Sequence, residues 1–403
     1  MKKSMLMAGL LTILMLLPVS VFASGEAEEA VEDEILIGGL TSLSGALMDY
    51  GQQMQRGFEL GLEYATDGTM EVAGRPLRVI WEDTTTVPEV ARERAIKLLD
   101  EDGVDIVVGP ASSADAFAIL PLFEEYERIL LMEPAAADFL TGEASNRYVF
   151  RSGRNTAQDS NAMAAIIINE IPDARVAVFA PEGAFGRGYA EPFRAALEAD
   201  GGEVILEEFA PPDATDFTPF ITRIRNADPD YVFVIWAGAN NPWRQMSEQG
   251  LFEDFRVSTG APEIAALRTM QEMEGNTGFT VYYHSVAQNP VNEWLVEQHT
   301  ERHDMPPDIF VSGGMAAAMA VVTALEETGG DTDAEALIDT MRGMEFDSPT
   351  GMRYFRSEDH QAQQSLFEIR FTRVDGVDHI VPELIRVIPR DDVSDPIQTT
   401  HTR

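Results

Sequence analysis

The sequence predicts an α/β protein made of two doubly wound parallel-sheet lobes. Three observations carry this. Short apolar segments rich in Ile, Val and Leu alternate with amphipathic helical segments, the pattern of parallel strands covered on both faces by crossover helices. The alternation comes in two successive series of the same style without close sequence repetition. A chain of 403 residues with 45% hydrophobic content is large enough for two cores.

In the first series, strands are expected over 35–40, 77–81, 106–108 and 129–132, with helices over 48–65, 88–100 and 114–126. Each strand is a brief apolar run that stops at Gly, Ser, Thr or Pro, which is where a parallel strand hands over to a loop. The second series places helices over 157–171, 188–199, 217–227, 242–248 and 262–273. Its strands fall over 176–179, 204–208, 231–235, 255–258 and 279–283. Beyond it the pattern is less regular. Helices are expected over 291–303, 311–327 and 334–341, the middle one rich in Ala and Met. Segments 365–373 and 379–387 read as antiparallel strands about the turn at 374–378, which contains Asp375-Gly376. Residues 389–403 are polar and are expected to fray.

The first 23 residues have the form of a secretion signal. Lys2 and Lys3 precede an uncharged apolar run from Met5 to Leu17, and Val21 and Ala23 supply the small residues a signal peptidase requires, placing cleavage after Ala23. The apolar run is short for a bilayer span, and the acidic stretch 24–34 that follows reads as a disordered leader. No later stretch reads as a membrane span. Cysteine is absent, which removes both disulfides and the acylated residue of a lipoprotein. These features describe a soluble periplasmic protein without a lipid anchor.

Formal net charge is −39; losing the first 23 residues takes two basic side chains and no acidic ones, leaving −41. Such a field opposes nucleic acid and anionic membranes. The acids are evenly spread, so a solvated surface accounts for them better than a cation-binding cluster. Enzyme signatures are missing: there is no Walker loop, no H-E-x-x-H and no G-x-S-x-G, and Gly183, Gly186 and Gly188 have the wrong order for a dinucleotide fingerprint. His299 and His303 stand one helical turn apart without a third ligand and read as a solvated polar face. No cofactor, metal or catalytic residue is expected.

Chemistry is expected outside the carboxyl ends of the strands, where helix N-termini favour anions. Small residues collect there in Gly38–Gly45, Gly109–Ser113, Pro134–Asp138, Pro181–Gly188 and Trp236–Asn241. Each loop alone is ordinary turn and cap chemistry. Together, with aromatic residues in the facing lobe, they outline a small-molecule cleft.

Several of these segments carry a likeness. The opening Ile35–Gly45 with Tyr50, Gly51 and Gly57, then Asp105–Ser113, then Phe185–Gly188 at the start of a helix, then Phe346–Gly351 with Phe355, Asp359 and His360, stand in the order and spacing of one family. From about Ile35 to Val387 the chain resembles the branched-chain amino-acid-type (leucine/isoleucine/valine-binding) periplasmic binding proteins, substrate-binding proteins of ABC transporters. The resemblance implies the type I fold, two lobes joined by a three-crossover hinge. It divides the chain into lobe 1 at 35–152 and 282–345, and lobe 2 with hinge at 153–281 and 346–388.

It also implies a ligand site. Ser113 would give its hydroxyl and N–H to a ligand carboxylate, with Ala111 and Ser112 on the same wall. Ala135 and Ala137, flanking Ala136, would present backbone groups to the ligand's ammonium and carboxylate. Tyr50, Phe185 and Trp236 would close over the ligand, Glu263 would neutralise its ammonium, and Phe310 would touch its side chain. Family members often have Thr where this chain has Ala137, and Tyr-Asp where it has small residues near Ala316 and Ala317. The implied function is that of a monomeric receptor that hands an amino acid or analogue to ABC permease subunits in the inner membrane. A sensor presenting the same ligand to a membrane receptor is the alternative. The mass of the exported protein should equal that of an unlipidated chain beginning at Ser24; a mass retaining residues 1–23 would contradict the signal reading.

Overall fold

The computed structural model describes residues 34–238 and 240–401; the expected signal segment and residues 24–33 of the leader lie outside the described residues. In chain order the first part runs β1 (Ile35–Thr41), α1 (Met48–Ala65), β2 (Glu71–Val72), β3 (Arg75–Asp83), α2 (Pro88–Ile96), β4 (Ile106–Val108), α3 (Ser113–Tyr126), β5 (Ile129–Met132) and β6 (Val149–Arg151). These strands form one sheet in the order β2-β3-β1-β4-β5-β6, parallel except for β2. β1, β4, β5 and β6 are almost wholly buried, as strands covered on both faces must be.

The second part contains α4 (Thr156–Glu170), β7 (Arg175–Pro181), α5 (Ala184–Ala199), β8 (Glu203–Ala210), α6 (Thr218–Ala227), β9 (Tyr231–Val234), α7 (Trp243–Glu248), α8 (Leu251–Asp254), β10 (Arg256–Thr259), α9 (Ile264–Thr269) and β11 (Thr277–Thr280). Here β10-β9-β7-β8 form a parallel sheet. The last part contains α10 (Pro290–His303), α11 (Ile309–Glu327), α12 (Ala334–Met341), β12 (Glu345–Phe346), β13 (Arg353–Phe355), β14 (Ala362–Gln363), β15 (Leu366–Thr372), β16 (Val381–Ile388) and α13 (Arg390–Val393). β15 pairs antiparallel with both β11 and β16. Separate hydrophobic cores surround the two parallel sheets. The two parallel sheets, each with its own core, match the pair of doubly wound lobes that the sequence predicts.

Several expectations need correction. The helix expected from residue 188 begins at Ala184, because Gly183 at φ 138° makes the turn into it that an L side chain resists. The helix expected over 262–273 is α9 followed by a separate short turn at Gln271–Met273. Strand 279–283 is displaced to Thr277–Thr280, where it pairs with β15. β6 and the small sheet β12-β13-β14 are too short to leave a periodic trace in the sequence. Phe346, Phe355 and Ala362, assigned above with the second lobe, pack into the first core.

Segment 309–327, which did not read as a membrane span, is apolar and long enough to be one, with a mean hydropathy of 1.7. It is a core helix, 89% buried. α11 lies against α1 at glycine-mediated contacts: a Cβ on Gly57 would stand 1.9 Å from the Val311 carbonyl oxygen, and one on Gly314 would stand 2.2 Å from that of Met54.

The segment after β16 does not fray up to His401. Val393, Asp395 and His401 are buried. The Asn155 amide donates to Asp395 at 2.7 Å, the Gln398 amide donates to Asp138 at 2.8 Å, and the His401 N–H donates to the Glu358 carbonyl at 2.8 Å. Arg356 stands 3.3 Å from Asp395 and pairs also with Asp359. Most of the segment is exposed, as polar composition suggested, but Asp395 and His401 are buried in partnership. Asp395→Ala should lower the unfolding free energy in urea by about 1–3 kcal/mol, because it leaves the buried Asn155 amide without its acceptor while Arg356 keeps Asp359; an unchanged midpoint would contradict a structural role for this segment.

Candidate functional site

The site is built from loops at the carboxyl ends of strands in both parallel sheets. β4 leads through Ala111 and Ser112 into α3, and β5 leads into Pro134 and Ala136. From the second sheet, β7 leads into α5, β9 into Ile235–Ala237, and β10 into Gly260–Glu263. These loops enclose a cavity of about 210 Å³, which suits a molecule of amino-acid size.

Ser112 caps α3, its hydroxyl accepting the Asp115 N–H at 3.3 Å. Ser113 follows as the first helical residue, and its hydroxyl accepts the N–H groups of Ala136 and Ala137 at 3.3 and 3.2 Å. Those bonds use the oxygen's lone pairs and leave its proton to be given away. Arg151 holds the same loop from beneath, donating to the carbonyls of Ala136 at 3.1 Å and Ala137 at 2.7 Å. Burial lowers the Arg151 pKa to about 10. The amino-terminal ends of both α3 and α5 border the cavity and favour negative charge there.

Glu263 lies on the wall of the cavity just ahead of α9, and its side chain does not cap that helix. Burial is the main cause that raises its pKa to about 7; nearby Asp308 and Asp49 raise it further, and the Tyr50 hydroxyl and its own backbone N–H oppose them. Asp308 accepts the N–H groups of Ile264 and Ile309 at 2.9 and 2.8 Å, joining the starts of α9 and α11. Tyr50 stacks on Phe310 with ring centroids 4.0 Å apart. Its hydroxyl accepts the Gly238 N–H at 2.9 Å, a bond from α1 to the loop after β9. Burial raises its pKa well above the usual phenol range. Trp236 is braced edge-on by Phe179 and Phe217.

Nine of the residues singled out in the sequence line this cavity: Tyr50, Ala111, Ser112, Ser113, Ala136, Phe185, Trp236, Glu263 and Phe310. Ala135 and Ala137 do not. Ala135 donates to the Pro110 carbonyl at 3.2 Å, while the Ala137 N–H and carbonyl are taken by Ser113 and Arg151. The Ala135 N–H and both Ala137 backbone groups are thus engaged within the loop. His299 is buried rather than solvated, with Nδ1 2.9 Å from the Met305 carbonyl and its pKa lowered by burial to about 4. Among the described residues no group of three or more His, Asp or Glu is arranged to hold a metal ion.

Sequence reasoning missed Arg154, Asp159 and Tyr189, which also line the cavity. Arg154 Nε stands 3.3 Å from Asp159 Oδ2. Burial raises the Asp159 pKa to about 6 against the opposing charge of Arg154. Two carry charge at the start of α4, and the third is one aromatic among many on α5. Nothing in their spacing marks them, because α4 and α5 meet only in the folded protein.

Comparison with known proteins identifies the family and agrees with the fold. Residues 34–377 match the family model described as periplasmic binding protein. A crystal structure of an ABC-type branched-chain amino acid transporter protein from Rhodopseudomonas palustris is 38% identical, covers 91% of this chain and 100% of its own, and superposes with a TM-score of 0.79. The Leu/Ile/Val-binding protein BraC3 of Rhizobium johnstonii is 24% identical over 79% of this chain and 86% of its own. A solute-binding protein from another Rhodopseudomonas palustris strain, solved with 3,4-dihydroxybenzoic acid, shares the fold at 24% identity and a TM-score of 0.80, over 89% of this chain and 98% of its own. With both lobes, the cleft and most of the chain accounted for, the protein belongs to the periplasmic binding protein family, the solute-binding proteins of ABC transporters.

Proposed function

We propose that the protein is the soluble periplasmic receptor of an ABC importer, that it works as a monomer, and that it captures an amino acid for delivery to membrane permease subunits. The polarity of the cavity carries this reading. At one side, the Ser113 proton and the start of α3 offer donors to a carboxylate. At another, Glu263 is a buried carboxyl with acidic neighbours, suited to an ammonium. Tyr50, Phe185, Trp236 and Phe310 supply apolar walls from both lobes. Ligand contacts to both sides favour the closed arrangement, and Tyr50 with Gly238 adds a direct bond across the cleft.

The aromatic lining favours a second reading, an aromatic carboxylate held at the Ser113 end; a fold relative was solved in complex with 3,4-dihydroxybenzoic acid. Titration calorimetry with amino acids and benzoates separates the two. Binding of an amino acid but not of its deaminated analogue supports the first; the opposite result refutes it.

Ser113→Ala should weaken amino-acid binding by roughly 1.5–3 kcal/mol, the range for a hydrogen bond to a charged group. Ser44→Ala should have little effect on affinity, because that hydroxyl is bound to Asp83 at 2.6 Å and does not line the cavity. Equal losses in calorimetry would place the carboxylate elsewhere.

Affinity should also depend on pH through Glu263. Its pKa in the free protein is raised from 4.5 to about 7, and a cation prefers the ionised form. Binding therefore tightens as pH rises from about 6 to about 8 and levels off above. The stability contribution has the opposite slope: it is complete below the ordinary carboxyl pKa and is lost as pH rises through the raised one. Glu263→Gln should remove the Glu263 part of the affinity slope and weaken binding at least about tenfold. An unchanged pH profile would exclude Glu263 as the ammonium partner.

A further inference from the structure

The cavity holds a polar pair that neither end of an amino-acid head group uses. Asp159, on the first turn of α4, is 1% exposed; neither of its oxygens has a hydrogen-bond partner of good geometry, and only the Tyr189 hydroxyl is near enough to donate weakly to it. Its nearest cation is Arg154, with Nε 3.3 Å from Oδ2. The two are close but misaligned, since Arg154 Nε is itself buried without a hydrogen-bond partner. The Tyr189 hydroxyl faces the same carboxylate. All three side chains line the ligand cavity.

A buried carboxylate and a buried guanidinium N–H that fail to satisfy one another are costly. Water can serve both while the cleft is open, but closure on a ligand removes it. A group that answers both must hold a donor and an acceptor side by side. A carboxamide does: its N–H₂ gives to Asp159 and its carbonyl accepts from Arg154. A branched aliphatic side chain would seal both in unsatisfied, and a site built for hydrogen bonding rejects an analogue lacking the matching groups far more strongly than it rejects a change of size.

Resting on the amino-acid reading above, we propose that Arg154 and Asp159 determine specificity, and that the receptor selects an amino acid whose side chain ends in a carboxamide. The pair reads the side chain while Ser113 and Glu263 read the head group.

The test is titration calorimetry of the full mature chain with glutamine, asparagine and leucine. The better of the two amides should bind at least about tenfold more tightly than leucine. Asp159→Asn should reduce that preference. Because the single change leaves Arg154 without its counter-charge, the double variant Arg154→Met/Asp159→Leu is measured beside it and should favour leucine over the amide. Ser113→Ala should weaken amide and leucine by the same factor, since it acts on the head group alone. Leucine binding more tightly than both amides in the unaltered protein, or an unchanged amide-to-leucine ratio in the double variant, would overturn the side-chain assignment and leave the amino-acid reading standing. Binding of a benzoate with no binding of any amino acid would overturn both.

Discussion

The close contact of α1 with α11 is the constraint from which the site follows. Gly57 on one helix and Gly314 on the other leave room for backbone atoms where any side chain would collide. That approach fixes the leading ends of both helices at the cleft, where Tyr50 stacks on Phe310. Tyr50 can then reach Gly238 in the facing lobe, and Asp308 can cap α11 while also binding the start of α9. A wider helix separation would withdraw these groups from the cleft. The apolar length of α11, which in isolation satisfies the composition of a membrane span, is what this buried position requires.

The cavity is electrostatically divided. Helix starts and Arg154 border one part, and Glu263 with Asp308 makes another part acidic. Burial does most of the work in each case: it raises both Glu263 and Asp159 toward neutrality and lowers the charge affinity of Arg151. A molecule that supplies the missing counter-charges recovers part of that desolvation cost on binding. In the proposed function, affinity then depends on complementary charge, and apolar contact with the aromatic walls adds to it.

The support beneath the site is polar as well. Arg151 grips the loop carrying Ala136 from below, and Ser113 grips it from above. This makes the loop a rigid wall on which a ligand can be oriented. The final segment adds a strap that joins Asp138, Asn155 and Glu358 through Gln398, Asp395 and His401. The buried bonds of this network, Arg151 to the Ala136 and Ala137 carbonyls and Asn155 to Asp395, favour one packing arrangement, because another would leave these groups unpaired.

Periodicity by itself determined the alternation of strands and helices, because a strand covered on both faces must be apolar throughout and a covering helix must be amphipathic. It located α1, β4, β5 and α12 at their observed limits. The strand-end loops, with their small residues, marked where a ligand would sit, and the family likeness supplied nine of the cavity's side chains. Tertiary structure decided the rest. Polar composition made 389–401 look solvated, and most of it is exposed, yet Asp395, Gln398 and His401 find partners elsewhere in the fold. Ala135 and Ala137, expected beside Ala136 on the wall, do not line the cavity. Arg154, Asp159 and Tyr189 acquire meaning only when α4 and α5 pack together and bury them on one wall. Local patterns record which face of a segment avoids water; they do not record which distant groups will meet there, and desolvation and charge pairing depend on that meeting.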